Sequence, residues 1–108
     1  MKGTHLGEFE ELVLLAVASL YGKAYGNAIQ QVLAEQAGRT VSLSTIHVAL
    51  QRLTEKGYLH SVFGEATPER GGRRKKYFEV TSLGFGELRQ AQESRQKLWS
   101  LIPNQALR

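Results

Sequence analysis

The sequence predicts a mainly α-helical fold that carries one small β-hairpin. Three stretches before residue 57 repeat apolar side chains every three or four positions, which is the spacing of one helix face. Residues 58–63 and 76–80 instead mix aromatic and β-branched side chains with polar ones, as half-buried strands do. A last stretch, residues 82–102, returns to helical spacing. The chain of 108 residues is long enough for one small domain and too short for two ordinary ones.

The first two helices are predicted over residues 8–21 and 25–37. Gly22 and Gly38 end them, because glycine readily takes the left-handed backbone found after helices. The apolar stripe of the first helix is nearly continuous around the helix, so we expect this helix to be the central buried one: it comprises Phe9, Leu12, Val13, Ala16, Val17 and Leu20, widened by Leu14 and Leu15. Residues 39–41 are predicted to form a short strand or an extended link.

A third helix is predicted between Ser42 and Gly57, with the Ser42 hydroxyl as its N-cap. Its inward stripe comprises Leu43, Ile46, Ala49, Leu50 and Leu53. The outer face comprises Ser44, Val48, Gln51 and Glu55, with Thr45 and Arg52 on one flank and His47 on the other. Small and amide side chains can approach base edges, and Arg52 can reach a phosphate or a guanine. The candidates for DNA contact on this helix are Ser42, Ser44, Thr45, His47, Val48, Gln51 and Arg52. An ordinary solvated helix face is the alternative interpretation, since amphipathic helices generally have a polar outer side.

The two predicted strands should pair as an antiparallel hairpin with a strongly basic connection. Pro68 and the Gly71-Gly72 pair indicate a turn. The cations of the connection and the start of the second strand are Arg70, Arg73, Arg74, Lys75 and Lys76. Cations this close together repel one another, and phosphates would neutralise them on binding. A basic loop that only aids solubility is the alternative.

The charge distribution supports a nucleic-acid surface in the middle of the chain. The net charge is +4, divided as −2 over residues 1–38, +4 over residues 39–80 and +2 over the remainder. The chain has no cysteine, which excludes disulfides and thiolate metal sites. Neither a signal peptide nor a membrane helix is indicated, so we expect a cytoplasmic protein that does not bind membranes.

Enzymatic activity and a cofactor are not indicated. The three histidines fall on different predicted elements, and every acidic residue is a glutamate. Ser44 and His47 are one helical turn apart, but no third group orients the histidine and no oxyanion donors are evident. The acidic cluster near the start of the chain, namely Glu8, Glu10 and Glu11, favours the positive end of a helix dipole more than a catalytic carboxylate pair.

A fourth helix is predicted from Thr81 or Ser82 to about Ile102. It carries an apolar seam that one arginine interrupts, formed by Leu88, Ala91, Arg95, Leu98 and Ile102 with Phe85 and Trp99 alongside. A spare seam on so small a domain suggests a dimer contact, although the helix could also pack back on Phe9 and the first helix of its own chain. We therefore divide the chain into residues 1–81 and a dimerisation helix with its tail over residues 82–108.

Four motifs, in this order, resemble the PadR family of bacterial transcriptional regulators. They are LGEFEELVLLAV near the start, AYG opening the second helix, VSLSTIHVALQRLTEKGYL, and GGRRKKYFEVTSLG. The similarity covers about residues 6–88. It implies a winged helix-turn-helix fold and a homodimeric repressor, with the third helix in the major groove of double-stranded DNA, the hairpin along the backbone or minor groove, and the last helix forming the dimer.

The resemblance also implies roles for individual residues. Gly72, Arg73, Arg74, Lys75, Lys76 and Tyr77 match the basic, aromatic-ended wing motif of the family. His47 stands where the family usually has a tyrosine that contributes to DNA contact, and its imidazole is shorter but can still donate to phosphate. Some short members bind flat aromatic compounds at the dimer interface, which implies Trp99, with Phe9 and Phe85 as neighbours, as a site for a small aromatic effector. Trp99 as simple interface packing is the alternative.

A winged helix that binds an acidic protein partner is the competing functional hypothesis. In that case the outer face of the third helix never contacts a base, and binding to any polyanion depends on salt without preferring a sequence. A regulator instead prefers one inverted repeat over other duplexes.

Overall fold

The computed structural model describes residues 6–66 and 74–108. Its elements in chain order are α1 (Glu8–Ser19), α2 (Gly26–Ala37), α3 (Leu43–Glu55), β1 (Leu59–Ala66), β2 (Arg74–Val80) and α4 (Ser82–Ser100), followed by a short 3₁₀ helix (Asn104–Leu107). The two strands pair antiparallel, so the predicted fold class is confirmed. The predictions for His5 and for the hairpin tip, including Arg70 and Arg73, lie outside the described residues.

Several element boundaries differ from the sequence prediction. α1 ends at Ser19, two residues early, and Gly22 then takes a positive φ of 78° in the following turn. Residues 39–41 form an extended link and no strand, and the side-chain amide of Gln30 donates to the Val41 carbonyl at 2.8 Å. That hydrogen bond satisfies a group that a strand would otherwise pair.

Both strands of the hairpin run further towards its tip than predicted. The pairing is regular from Leu59 to Phe63 and resumes at Ala66 opposite Arg74, with an irregularity between them. Gly64 lies at this irregularity, and a Cβ atom there would be 2.7 Å from the Tyr77 ring. The irregular pairing therefore falls where Gly64, which has no side chain, allows the Tyr77 ring to lie over the backbone.

The hydrophobic core lies between α1, α2, α3, the base of the hairpin and the first turns of α4. Its buried side chains are Val13, Leu14, Ala16, Val17, Ala24, Ile29, Leu33, Ile46, Ala49, Leu50, Leu53, Tyr58, Leu59, Phe78 and Leu88. Two predicted inward leucines are exposed instead. Leu43 opens α3 beyond the edge of the core, near Gly26, and Leu15 lies on the outer side of α1.

Three glutamates in the first turn of α1 each form an ion pair with a different part of the chain. The pairs are Arg39 with Glu8, Lys56 with Glu10, and Arg95 with Glu11, each with 2.7 Å between nitrogen and oxygen. These cations come from the link before α3, from the end of α3, and from α4. The acidic turn therefore ties three elements to α1, in addition to the helix-dipole effect expected from the sequence.

The side chain of Glu10 is largely enclosed, at 13% exposure. Burial raises its pKa, but the hydrogen bond and charge of Lys56, the Gly7 N–H and the charge of Arg52 outweigh burial, so the pKa lies below its usual value. The Gly7 N–H donates to Glu10 Oε1 at 3.2 Å, and this oxygen also accepts from the Lys56 ammonium. One carboxylate oxygen therefore caps α1 and anchors the end of α3.

Thr81 joins the start of α4 to the end of α3. Its hydroxyl accepts from the Gly84 N–H at 3.0 Å, as an N-cap does, and donates to the Gly57 carbonyl at 2.6 Å. Its own N–H donates to the Tyr58 carbonyl at 3.0 Å. Gly84 packs directly on that carbonyl, because a Cβ there would collide with it. Of the two predicted caps, the structure uses Thr81 and not Ser82.

α4 leaves the core after its first turns. Leu88 is only 8% exposed, whereas Leu98 is 67% exposed and Trp99 is 60% exposed. The radius of gyration is 16.1 Å, compared with about 13 Å for a compact chain of this length. α4 ends at Ser100, and the chain then forms the 3₁₀ helix where a frayed tail was predicted.

Candidate nucleic-acid interface

The outer face of α3 is open along its whole length. All seven side chains predicted for DNA contact on this helix are exposed, among them Val48 at 52%. The Ser42 hydroxyl accepts from the Thr45 N–H at 3.1 Å, which confirms the predicted N-cap. The same hydroxyl lies 3.0 Å from Ser44 Oγ and 2.9 Å from Thr45 Oγ1. Ser42 therefore orders the first turn, while Ser44 and Thr45 can turn their hydroxyls outward.

Polar groups continue along this face towards the end of the helix. The Gln51 amide donates to Glu55 at 3.3 Å, a long hydrogen bond that leaves its carbonyl oxygen without a described partner. Within the described part of the chain, no carboxylate lies within ion-pair distance of Arg52. The Gln51 amide and the Arg52 guanidinium both lie about one helical turn from Val48. Amide and guanidinium groups are the ones that contact base edges and phosphates in a DNA groove.

The two faces of the hairpin hold its cations over aromatic rings. On one face the Arg74 guanidinium is 5.8 Å and the Lys76 ammonium 6.0 Å from the centroid of the Phe63 ring. On the other face Lys75 and Tyr77 point towards Tyr25, the residue before α2. Among the residues whose side chains are described, none of these three cations has a carboxylate partner.

α2, α3 and β2 meet at one small crevice. It has a volume of about 160 Å³ and is lined by Tyr25, Gly26, Asn27, His47, Lys75 and Lys76. Gly26 makes the close approach of α3 possible, because a Cβ atom there would be 3.2 Å from the imidazole of His47. The hairpin is fixed to the start of α2 by the Phe78 N–H, which donates to the Ala24 carbonyl at 2.8 Å. The outer face of α3 and the basic strand therefore belong to one continuous surface.

Tyr25 and Asn27 belong to this surface, although the sequence did not single them out for DNA contact. In the sequence, Tyr25 is part of the AYG motif and of the predicted second helix, and Asn27 lies two positions further along that helix. The signal available was their position at the start of a helix, where free N–H groups and the dipole attract anions. That signal alone does not indicate that β2 lies beside it.

The residues predicted for dimer contact or effector binding are distributed over separate places in the single chain. Leu88 is buried in the core of its own chain, and so is not available to a partner as predicted. Phe85 lies in a crevice of about 150 Å³ between α1, β2 and α4. Phe9 lines a different crevice, beside α3, with the Arg39 guanidinium 5.5 Å from the centroid of its ring. Neither ring is paired with Trp99 within the described chain.

Towards its far end, α4 carries the remaining members of that group. The hydrogen bond that the Arg95 guanidinium donates to Glu11 raises the pKa of Arg95 above its usual value. Arg95 also borders a crevice of about 360 Å³ between α1 and α4. Leu98 and Trp99 are exposed, and Ile102 is half-buried just after the helix. The exposed seam is therefore shorter than predicted and is concentrated in the last turns of α4.

Neither a cluster of metal-ligating side chains nor a helix that could span a membrane occurs among the described residues. No group of three or more histidines, cysteines or acids is close enough together to hold a metal ion in residues 6–66 and 74–108. No described helix combines the length and the apolar character that crossing a membrane requires.

Three packed helices followed by a two-stranded wing, with an exposed helix beside a basic strand, define a winged helix-turn-helix DNA-binding fold. The sequence model of the family described as transcriptional regulator PadR-like matches residues 14–90, which is more than half of the chain. The chain therefore belongs to the PadR-like family of transcriptional regulators, as the sequence motifs implied.

Solved structures agree with this assignment. A PadR-like transcription factor from Bacteroides fragilis is 27% identical with a TM-score of 0.71, over 85% of this chain and 84% of that one. A PadR family transcriptional regulator from Eggerthella lenta is 27% identical with a TM-score of 0.67, over 86% and 80%. A PadR-like regulator from Bacillus cereus shares the fold with a TM-score of 0.72 at 19% identity, over 93% and 91%. No curated protein sequence matches the chain closely enough to count as a relative.

Proposed function

We propose that the protein is a repressor that binds an inverted-repeat operator as a homodimer. The observation that carries this proposal is the continuous surface formed by the outer face of α3, the start of α2 and β2. Its cations Arg52, Arg74, Lys75 and Lys76 have no carboxylate partner among the described residues, whereas the acidic first turn of α1 binds cations elsewhere. A surface of unpaired cations suits the phosphate backbone of a duplex.

In this proposal α3 enters the major groove and the hairpin follows the backbone. Thr45, Gln51 and Arg52 contact base edges, since hydroxyl, amide and guanidinium groups can discriminate between bases there. Ser42, Ser44, His47 and Val48 complete the contact along the groove. Arg73, Arg74, Lys75, Lys76 and Tyr77 contact the backbone beside it. Two copies then bind half-sites about one DNA turn apart, roughly 34 Å, and occlude a promoter.

The dimer is proposed to form through the far end of α4. Leu98 and Trp99 are large apolar side chains at 67% and 60% exposure, and exposed aromatic residues commonly anchor interfaces. The division into a DNA-binding part over residues 1–81 and a dimerisation helix with its tail over residues 82–108 follows from this proposal. Because a regulator of transcription works on the chromosome, we place its action in the cytoplasm.

A small aromatic effector is proposed to act at this dimer contact, stacking on Trp99. Phe9 and Phe85 lie elsewhere in the single chain, so they join the site only if a partner copy brings them there. Trp99 is the only tryptophan of the sequence, and its fluorescence therefore reports such stacking directly. The effector releases DNA only if it binds one arrangement of the two copies more tightly than the other.

The decisive experiment is selection of bound duplexes from a random pool, followed by titration of the selected sequence. We expect one inverted repeat bound with a Kd of about 10 nM or tighter. Replacing Gln51 by alanine should then change the preference at particular base pairs. Equal weakening on every sequence would assign Gln51 to positioning alone. A protein that shows only salt-dependent binding to any polyanion would favour the alternative of a winged helix for acidic protein partners.

A further inference from the structure

Tyr25 lies between the start of α2 and the basic strand. Its half-buried ring meets the Tyr77 ring edge to face, with 5.9 Å between centroids and 77° between planes. The Tyr77 ring in turn packs so closely on Gly64 that a Cβ atom at position 64 would have no room. The orientation of the Tyr25 ring is therefore set by two strands of the hairpin as well as by its own helix.

The other feature of this ring is the ammonium group above it. Lys75 Nζ is 4.1 Å from the centroid of Tyr25, while the other described contacts between a cation and a ring span 5.5 to 6.0 Å. The attraction comes from the negative face of the ring and depends on its electron density. The ring covers one side of the ammonium, and Tyr25 and Lys75 both line the crevice that His47 and Asn27 also line.

We infer that Tyr25 is a positioning residue for DNA binding: its ring holds the Lys75 ammonium at the point where α2, α3 and β2 meet. This inference rests on the proposed function, because it assumes that Lys75 contacts a backbone phosphate. A free lysine side chain loses much rotational freedom when it binds. The ring imposes that order before DNA arrives, and it also fixes the direction of the strand relative to α3.

The test varies the electron density of the ring while keeping its shape. Phenylalanine and its mono-, di- and trifluorinated forms are introduced at position 25, and the Kd for the selected operator is measured at constant salt. We expect affinity to fall steadily with fluorination, by about threefold to fivefold per protomer across the series. The Lys75→Gln variant should abolish this dependence, as a double-mutant cycle requires.

The same series at Tyr21 is the matched control. Tyr21 is 91% exposed in the turn after α1, and no cation lies over its ring in the described part of the chain. Its fluorination should leave both the Kd and thermal melting unchanged.

The outcomes separate this inference from the function on which it rests. Operator binding that is equally tight across the position 25 series overturns the role of Tyr25 and leaves the repressor proposal standing. A dependence on fluorination that persists in Lys75→Gln assigns the ring to simple packing and also overturns the inference. A wild-type protein that binds no duplex at low salt overturns the repressor proposal and the inference together.

Discussion

Replacing Arg74 and Lys76 with glutamine should reduce the salt dependence of DNA binding by a calculable amount. Both side chains are exposed, lie on the same face of β2 and have no carboxylate partner in the described chain. If each contacts one phosphate, a dimer loses four contacts, and each contact contributes about 0.9 to the slope of log affinity against log salt. The slope should therefore become shallower by about 3.6.

This difference is large enough to measure by fluorescence anisotropy with a labelled operator. From about 50 mM to about 200 mM salt, the wild-type protein should lose about 150-fold more affinity than the double variant. Arg89→Gln with Arg108→Gln removes the same charge from α4 and the tail, and should leave the slope nearly unchanged. A double variant with the wild-type slope, or a control with an equally reduced slope, would refute phosphate contact by this face of the wing.

Three further predictions concern stability and assembly. Glu10→Gln should lower the unfolding free energy at pH 7 by about 1 to 2 kcal/mol, as measured by urea titration. Because the pKa of Glu10 is depressed in the folded state, the difference between variant and wild type should vanish as the pH falls through that pKa. A difference that stays constant with pH would contradict the ion pair with Lys56. Trp99→Ala should shift the protein towards monomer in sedimentation at unchanged helicity; an intact dimer would reject the α4 contact. Gly84→Ala should lower the unfolding free energy by about 3 kcal/mol, since its methyl group meets the Tyr58 carbonyl; a wild-type melting temperature would show that α4 can shift aside.

Local patterns in the sequence were sufficient for the elements that depend on nearby residues. The Ser42 cap of α3 and the burial of Ile46, Ala49 and Leu53 follow from hydroxyl chemistry and helical spacing, and the structure has them as predicted. Leu43 shares that spacing but is exposed, because the core ends before the first turn of α3. Periodicity gives the direction of a side chain from the helix axis and says nothing of how far along the axis the neighbouring helices extend.

Contacts between distant segments were beyond the sequence patterns. Glu11 and Arg95 are 84 residues apart, and no spacing rule pairs them. The same holds for Tyr25 with Lys75 and Tyr77, which meet only because β2 binds the segment before α2 through the Ala24 carbonyl. The helix and hairpin parts of the candidate surface were thus predictable from the sequence, while the places of Tyr25 and Asn27 between them came from the folded chain alone.

The hydrogen bonds that Thr81 forms with Gly57 and Tyr58 fix the start of α4 to the end of α3. Over its 19 residues the helix is about 28 Å long, so a tilt of about 5° at this junction moves the far end by about 2.5 Å. A movement at the far end of α4 would likewise change the angle at its junction with α3. In the proposed dimer, a shift of a few ångströms at the contact between the two α4 helices would turn each α3 by a few degrees. Such a turn would change how the hydroxyl and amide groups of α3 meet the bases of the proposed operator.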